Sequence, residues 1–206
     1  MDSRSRAADL IALIIVAALG IPLVWAVAAA FAEGEVRRRQ TPVRALIGGP
    51  AYEALARGEE TPQHYMGDDR MAPDFSLPLG DGSTFRMSDQ RGKVVVLNFW
   101  SVTCQPCIEE MPSLISLATI LKDREDVELV AVSADRSWEQ VRSVIPEDSP
   151  LRVALDEDRS VVRGKFGTRL FPETWIIDPE GVIRLRVDGR RDWSSGVALE
   201  VIESYF

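Results

Sequence analysis

The sequence predicts an α/β domain, with a mixed central sheet flanked by helices, from residue 71 to residue 206. Two observations support this fold class. Short runs of β-branched and apolar residues alternate with segments of helical periodicity, as in strand–helix–strand units. The last two strands are separated only by Pro179-Glu180-Gly181, a turn signal that predicts an antiparallel hairpin. A hairpin beside parallel strands makes the predicted sheet mixed.

The first half of the domain contains the most regular patterns. Predicted strands at 75–79 and 83–87 flank a Gly-Asp-Gly turn and form an N-terminal hairpin. The run KVVVLNFW at 93–100 is apolar almost throughout, which is typical of a strand buried on both faces. Apolar residues at helical spacing predict a helix over 105–121, which Pro112 should kink.

The second half repeats the alternation. Ser137 followed by Gln140 is a capping-box signal for the start of a helix that extends to residue 145. The segment 135–156 is interpreted as a strand–helix insertion into the sheet. The remaining predicted elements are strands at 127–134, 151–156, 174–178 and 182–187, a short helix at 159–166, and an amphipathic final helix at 194–205.

Residues 10–32 carry no charged side chain and predict a membrane helix. At about 1.5 Å per residue, this run is long enough to cross a hydrocarbon core of roughly 30 Å. Ala30-Phe31-Ala32 also offers a signal-peptidase pattern, so cleavage remains an alternative to a retained anchor. We assign residues 1–32 to this anchor or signal-anchor.

The charges beside the predicted span leave its orientation open. Arg4 and Arg6 precede the span, whereas Arg37–Arg39 and Arg44 follow it. By the positive-inside rule alone, this count would keep the C-terminal domain in the cytoplasm. Large domains are translocated largely regardless of flanking charge, and we expect a single-pass protein with its domain on the extracytoplasmic, periplasmic side.

Residues 33–70 are predicted to be a linker, because glycine and proline interrupt any long periodicity. A short helix over 51–57 and the only histidine, His64, fall in this segment. The formal net charge of the chain is −8, and its basic residues are not clustered in the domain. Nucleic acid is therefore not an expected partner, because phosphate binding needs clustered cations.

The chain has two cysteines, Cys104 and Cys107, in a C-x-x-C arrangement between a buried strand and a helix. The first turn of a helix has unpaired N–H groups and the positive end of the helix dipole. A thiolate at Cys104 is favoured there, which should lower the pKa of that thiol and make it the nucleophile. Cys107 should then resolve the mixed disulfide. Pro106, which lacks an N–H, suits an early helical position.

Other interpretations of the cysteine pair fit less well. A structural zinc site needs four ligands, and the sequence has no second cysteine pair. A purely structural disulfide over so short a loop would remove little chain entropy. We expect no metal and no organic cofactor, and the redox group is the Cys104–Cys107 disulfide itself.

The segment FWSVTCQPCIEEMP at 99–112 resembles the active-site region of thioredoxin-fold proteins, in particular their membrane-anchored TlpA/ResA and cytochrome c maturation branch. The resemblance extends over about residues 72–206 and implies a thioredoxin-like fold. Phe99-Trp100 and Pro112 match the family pattern, and Asn98 stands where ordinary thioredoxins have a buried aspartate. Thr103 departs from the pattern, because the family usually has tryptophan before the first cysteine.

The resemblance also implies roles for further residues. It implies that Glu110 handles protons near the buried thiol, whereas its early helical position alone would explain a carboxylate by the helix dipole. Pro172 matches the cis-proline that faces the cysteine pair. Trp100, Phe171 and Glu173 are the implied substrate-binding residues.

The implied function is a membrane-anchored thiol–disulfide oxidoreductase that reduces disulfides of exported proteins. Its partners would be apocytochrome c, by resemblance, and a membrane thiol donor. Three alternatives stay open. An oxidase or isomerase would use the same two cysteines, because the direction depends on a reduction potential that the sequence does not reveal. A peroxiredoxin-like peroxidase would need proline where Leu97 stands, although Ser101 fits the hydroxyl position of that frame. A copper-binding module on the same fold would use a late histidine, and none follows Cys107.

Overall fold

The computed structural model describes residues 3–56 and 70–206 of the chain, without the side chains of 3–15, 17, 35–39 and 54–56. The described chain forms two compact units, one ending at Thr41 and the other comprising Pro42–Phe206. Helix α1 covers Ser3–Ile47, and it includes the predicted span. His64 lies outside the described residues.

Side chains of α1 are described from Val16 onwards in the region of the predicted span. The large apolar residues among them are exposed, including Leu19, Trp25 and Phe31. Among the residues described here, no helix combines the length and the apolar character that crossing a bilayer requires. The first part of the predicted span, 10–15, falls outside the described side chains.

The predicted linker differs from the structure in its described part. The chain is helical to Ile47, where an irregular tether was expected, and the short helix predicted at 51–57 corresponds to α2, Gly49–Ala56. Its glycine and proline residues mark helix ends: Gly48 has φ +87° after α1, and Pro50 lies in the first turn of α2. Val43 and Leu46 are 7% and 8% exposed and join the core of the second unit. Burial of these apolar side chains is the physical reason for the difference.

In the part of the chain that the structure describes, seven strands form two sheets. Strands β1, Ser76–Pro78, and β2, Thr84–Arg86, form the predicted antiparallel hairpin. The five-stranded sheet has the order β5-β4-β3-β6-β7 and is mixed as predicted. Its members are β3 at Val94–Trp100, β4 at Val127–Ser133, β5 at Arg152–Leu155, β6 at Glu173–Ile177 and β7 at Ile183–Asp188.

The central position of β3 explains its sequence. It pairs in parallel with β4 and antiparallel with β6, and all seven of its residues are buried. Alternate side chains enter two apolar layers on opposite faces of the sheet: Val96 and Trp100 lie in one, whereas Leu97 and Phe99 lie in the other. A strand with both faces covered needs apolar residues throughout. The packing on both faces also fixes the position of the end of β3.

The helices agree with prediction in position and differ in detail. Helix α3 covers Gln105–Leu121 and contains Pro112. Helix α4, Trp138–Arg142, begins after Ser137, whose hydroxyl accepts from the Gln140 amide, but it ends before the predicted residue 145. The predicted insertion therefore consists of α4 and β5. The segment Ser160–Lys165 is a π-helix, and α5 covers Gly196–Glu203.

Candidate active site

The cysteine pair lies where β3 passes into α3. Only residues 101–104 connect Trp100, the last residue of β3, to Gln105, the first of α3. Cys104 is the N-cap residue of the helix, with extended backbone angles of φ −97° and ψ 101°. Its amide donates to the Ser101 carbonyl at 3.1 Å, which closes the turn between the two elements. The predicted strand–helix placement of the pair is confirmed.

The sulfur of Cys104 is held by the helix terminus. The Cys107 backbone N–H donates to Cys104 Sγ across 3.2 Å. The first N–H groups of a helix have no intrahelical acceptor, so an N-cap sulfur can take one of them. The two cysteines form a disulfide with 5.3 Å between their Cα atoms. Cys104 is half-buried, whereas Cys107 is 1% exposed, so a partner can reach only the first sulfur.

The residues beside the pair lie at the surface. Gln105 and Pro106 are exposed, and Pro106 occupies the first turn of α3 as predicted. Thr103, at the position of the family tryptophan, is also exposed. Its hydroxyl lies 3.1 Å from Ser101 Oγ. Thr103 therefore replaces an apolar ring with a hydroxyl that is tied to the loop behind it.

Glu110 lies one turn beyond Cys107 on the buried face of α3 and is 1% exposed. One carboxylate oxygen, Oε1, accepts from the indole N–H of Trp193. The other, Oε2, has no hydrogen-bond partner within the described chain. Burial raises the pKa of Glu110 to about 7, while the Trp193 hydrogen bond and the charges of Arg191 and Arg190 act to lower it.

The loop after β7 holds this part of α3 from the outside. Ser113 Oγ donates to the Arg191 carbonyl at 3.3 Å and accepts from the Trp193 amide at 3.2 Å. Arg190 pairs with the surface carboxylate of Glu109 at 2.8 Å. Trp193 was not predicted as a site residue. A tryptophan in the polar segment GRRDWSS was the only sequence signal for it.

The predicted cis-proline is confirmed in its conformation. The Phe171–Pro172 peptide bond is cis, and Pro172 is buried at the start of β6. The Pro172 carbonyl accepts from the Gly189 amide at 2.9 Å. Phe171 is half-buried and packs against both apolar layers, and Leu170 before it is 83% exposed.

Two predicted substrate-binding residues are not available to a substrate, which corrects that prediction. Trp100 is 0% exposed, because both faces of β3 are covered. Glu173 is 2% exposed. Its carboxylate accepts a hydrogen bond from the Thr168 hydroxyl and forms an ion pair with Arg186 at 2.9 Å. Burial raises the pKa of Glu173, and the Thr168 hydrogen bond opposes this. The burial of Trp100 agrees with the predicted burial of β3 on both faces, whereas the motif does not show that Glu173 is covered.

Two further polar groups lie behind the pair. Asn98 donates from Nδ2 to Thr174 Oγ1 at 2.9 Å, across the β3–β6 pairing. Asp135, which follows β4, is 4% exposed and accepts a hydrogen bond from Ser101 in the active-site loop. Asp135 was also not predicted as a site residue. Its signal was a polar residue just after a strand parallel to β3, since such strand ends meet at one edge. Within the described chain, no group of three His, Cys, Asp or Glu side chains is placed to hold a metal ion.

The sequence of this chain is similar to those of known proteins. Residues 69–186 match the sequence profile of the AhpC/TSA family. The chain is 35% identical to the thioredoxin-like protein YneN of Bacillus subtilis over 118 residues, which are 56% of this chain and 68% of YneN. It is 33% identical to the thiol-disulfide oxidoreductase ResA of Bacillus subtilis over 144 residues, 69% of this chain and 77% of ResA.

The fold also matches that of a solved structure. The thioredoxin domain of a thiol-disulfide oxidoreductase from Bacteroides vulgatus superimposes with a TM-score of 0.55 at 26% identity. The superposition covers 66% of this chain and 99% of that domain. With a half-buried cysteine at the N-cap of α3 and a buried partner one turn on, the chain belongs to the AhpC/TSA family and, within it, to the thioredoxin-like thiol–disulfide oxidoreductases of the TlpA/ResA type.

Proposed function

We propose that this thiol–disulfide oxidoreductase is a reductase of disulfides in exported proteins, with Cys104 as the attacking and Cys107 as the resolving thiol. The observation that carries the proposal is the asymmetry of the pair. Cys104 is half-buried and receives a helix N–H at its sulfur, whereas Cys107 is 1% exposed. An accessible sulfur at a helix N-terminus favours the thiolate, and the thiolate is the nucleophile in disulfide exchange.

The reaction proceeds in two exchanges. The Cys104 thiolate attacks one sulfur of the partner disulfide, forms a mixed disulfide and releases a partner thiolate. Cys107 then loses its proton and attacks Cys104 Sγ, which releases the second partner thiolate and leaves the Cys104–Cys107 disulfide of the structure. A dithiol donor returns two electrons and two protons by the same exchange in reverse. The cysteine pair is thus the whole redox group in this proposal.

Glu110 is the proposed proton acceptor for Cys107. The two residues are three apart in α3, and such residues neighbour each other on one helix face. Both are 1% exposed, so bulk water is not the direct acceptor. A carboxyl whose pKa is about 7 changes protonation near neutral pH, which suits a group that takes a proton and later gives it back.

The apolar residues of α1 support an anchor. Residues 10–32 lack charge, and the described side chains in this part of α1 include exposed large apolar groups such as Leu19 at 69%, Trp25 at 75% and Phe31 at 77%. Contiguous exposed apolar surface of this kind is costly in water and is typical of membrane contact. We propose that this segment is retained as a single membrane anchor, with the domain outside the cytoplasm. Apocytochrome c is the first substrate to test.

The cysteine roles are tested by paired variants. Cys107→Ser should accumulate mixed disulfides at position 104, because the resolving thiol is missing, whereas Cys104→Ser should accumulate none. Non-reducing electrophoresis followed by mass spectrometry of the attached partners measures this.

The direction of the reaction is tested by equilibrating the wild-type cysteine pair with glutathione or dithiothreitol. A potential near that of a strong oxidant, about −120 mV, would contradict a reductase. Rapid hydrogen peroxide consumption would favour the peroxidase alternative.

Glu110→Gln should change the pH dependence of the resolving step. In the wild type, release of a pre-formed mixed disulfide should accelerate as the pH rises through about 7, when Glu110 becomes ionised. The variant should lose this rise in rate and react about 100-fold more slowly at pH 8, a loss at the low end of what positioned acid–base groups contribute. Glu109→Gln, on the exposed face of α3, is the matched control. An unchanged profile in Glu110→Gln would exclude the proposed proton transfer.

The same substitution should affect stability in a pH-dependent way. A folded-state pKa raised from 4.5 to about 7 means that the folded protein binds more protons than the unfolded one between these values. Stability contributed by the neutral acid is therefore lost as the pH rises through this window. At pH 8, Glu110→Gln should be more stable than the wild type by about 3 kcal/mol, and at pH 4 the two should be equal. Urea denaturation at both pH values measures the difference.

The anchor and its orientation are tested in cells. Wild-type protein should stay in the membrane pellet after carbonate extraction, and Leu19→Arg with Val24→Arg should release it, since each arginine costs about 2.5–3.5 kcal/mol at a span centre. The chain has only two cysteines, so maleimide labelling reports the domain alone. A membrane-impermeant maleimide, added after an impermeant reductant, should label the cysteines of the domain in intact cells. Labelling only after lysis would place the domain in the cytoplasm and contradict the proposal.

A further inference from the structure

Asp135 is a buried carboxylate that the dithiol reaction described above does not use. It lies two residues after Ser133, the last residue of β4, which pairs with Trp100, the last residue of β3. The Ala134 amide donates to the Trp100 carbonyl at 2.9 Å and extends this pairing by one step. Asp135 therefore lies directly behind the loop that leads to Cys104, and it is 4% exposed.

Two residues of that loop hydrogen-bond to the carboxylate. Ser101 Oγ donates to Oδ1 at 2.7 Å, and the Val102 amide donates to Oδ2 at 2.9 Å. A third donor, Ser133 Oγ at 2.7 Å, comes from the strand side. Only three residues, 101–103, separate β3 from Cys104, and the Asp135 carboxylate hydrogen-bonds to two of them. This one side chain therefore fixes most of the segment that leads to the Cys104 sulfur.

The hydrogen bonds around Asp135 continue towards Cys104. The carboxylate oxygens accept all three of them. Because the Ser101 hydroxyl gives its proton to Asp135, it must accept from Thr103 Oγ1, 3.1 Å away. The hydroxyl of Thr103, the residue before Cys104, is thereby oriented by Asp135 through Ser101.

The charge of Asp135 is compensated by dipoles rather than by a cation. Within the described residues no Lys or Arg forms an ion pair with it, and Arg159 instead donates to the neighbouring Ala134 carbonyl at 2.8 Å. A buried negative charge disfavours a second one in its vicinity. The Cys104 thiolate forms only two residues beyond Val102, whose amide the Asp135 carboxylate binds. Reduction adds two electrons and two protons to the disulfide, and ionisation of Cys104 stabilises the reduced pair. A group that opposes the thiolate therefore favours the disulfide.

We propose that Asp135 is a positioning residue for the dithiol chemistry: its buried carboxylate holds residues 101–103, which present Cys104, and its charge makes the reduced pair a stronger reductant. The direction of the second effect rests on the proposed reductase function, because a low reduction potential serves a protein that donates electrons. The positioning effect is independent of that direction.

The charge effect is tested with Asp135→Asn and with Asp156→Asn as the matched control. Asp156 is also fully buried and also accepts backbone N–H bonds, but from Val161 and Val162, away from the cysteine loop. In full-length protein equilibrated with dithiothreitol, Asp135→Asn should shift the equilibrium towards the dithiol about threefold to tenfold, which is roughly 15–30 mV. Asp156→Asn should cost stability without this shift. Equal potentials for Asp135→Asn and the wild type would overturn the charge effect.

The positioning effect is tested with two serine variants, which also serve if Asp135→Asn does not fold. Ser101→Ala and Ser133→Ala each remove one hydroxyl from the same carboxylate, but only Ser101 belongs to the loop. Ser101→Ala should slow the attack of reduced Cys104 on a small disulfide several-fold, and Ser133→Ala should not. Equal rates would overturn positioning. A wild type that reduces no disulfide would instead contradict the proposed function, so the two failures are distinct.

Discussion

The hydrogen bond from the Cys107 amide to Cys104 Sγ, 3.2 Å long, is the interaction on which the account of this chain depends. It exists because β3 is rigidly packed on both faces and passes into α3 within four residues. The sulfur is thereby placed at the positive end of a 17-residue helix, where unpaired N–H groups and the helix dipole both favour a negative charge. The accessibility of Cys104 and the burial of Cys107 follow from the same geometry.

Around this helix terminus, buried acids act in different directions. Glu110 lies beyond Cys107 in the interior, where burial raises its pKa to about 7, and this suits transfer of a proton from the resolving thiol. Asp135 lies behind the preceding loop, and by our proposal it opposes the Cys104 thiolate that the helix favours. Asn98, on β3, contributes hydrogen bonding with Thr174 without a charge. The position of each group relative to the two sulfurs decides its effect.

Local patterns in the sequence were enough to predict the elements that carry the pair. The bounds of α3, the buried character of β3 and the mixed sheet follow from periodicity and turn residues, which act over short distances along the chain. Contacts between distant residues were not predictable in this way. Trp193 binds Glu110 across 83 positions, and Ser101 binds Asp135 across 34, so no local pattern contains either pair.

One of the misassigned residues has the same cause. The burial of Glu173 depends on Thr168 and Arg186, which only the folded chain brings to it. The burial of Trp100 was instead predictable, because the apolar run of β3 indicates a strand covered on both faces. The extension of α1 into the predicted linker has a related reason. The predicted breaks at Gly48 and Pro50 are present, since Gly48 ends α1 and Pro50 lies in the first turn of α2. The burial of Val43 and Leu46 stabilises the end of α1 against the domain core, and this long-range contact is not visible in the local sequence.

The central claim is that the helix terminus makes Cys104 an accessible, easily ionised thiol. The most direct measurement is the alkylation rate of Cys104 in reduced Cys107→Ser protein as a function of pH. The account predicts that the rate follows a thiol whose pKa lies clearly below the value of about 8.5 for free cysteine. A midpoint at or above that value, or a thiol that the reagent does not reach, would contradict it.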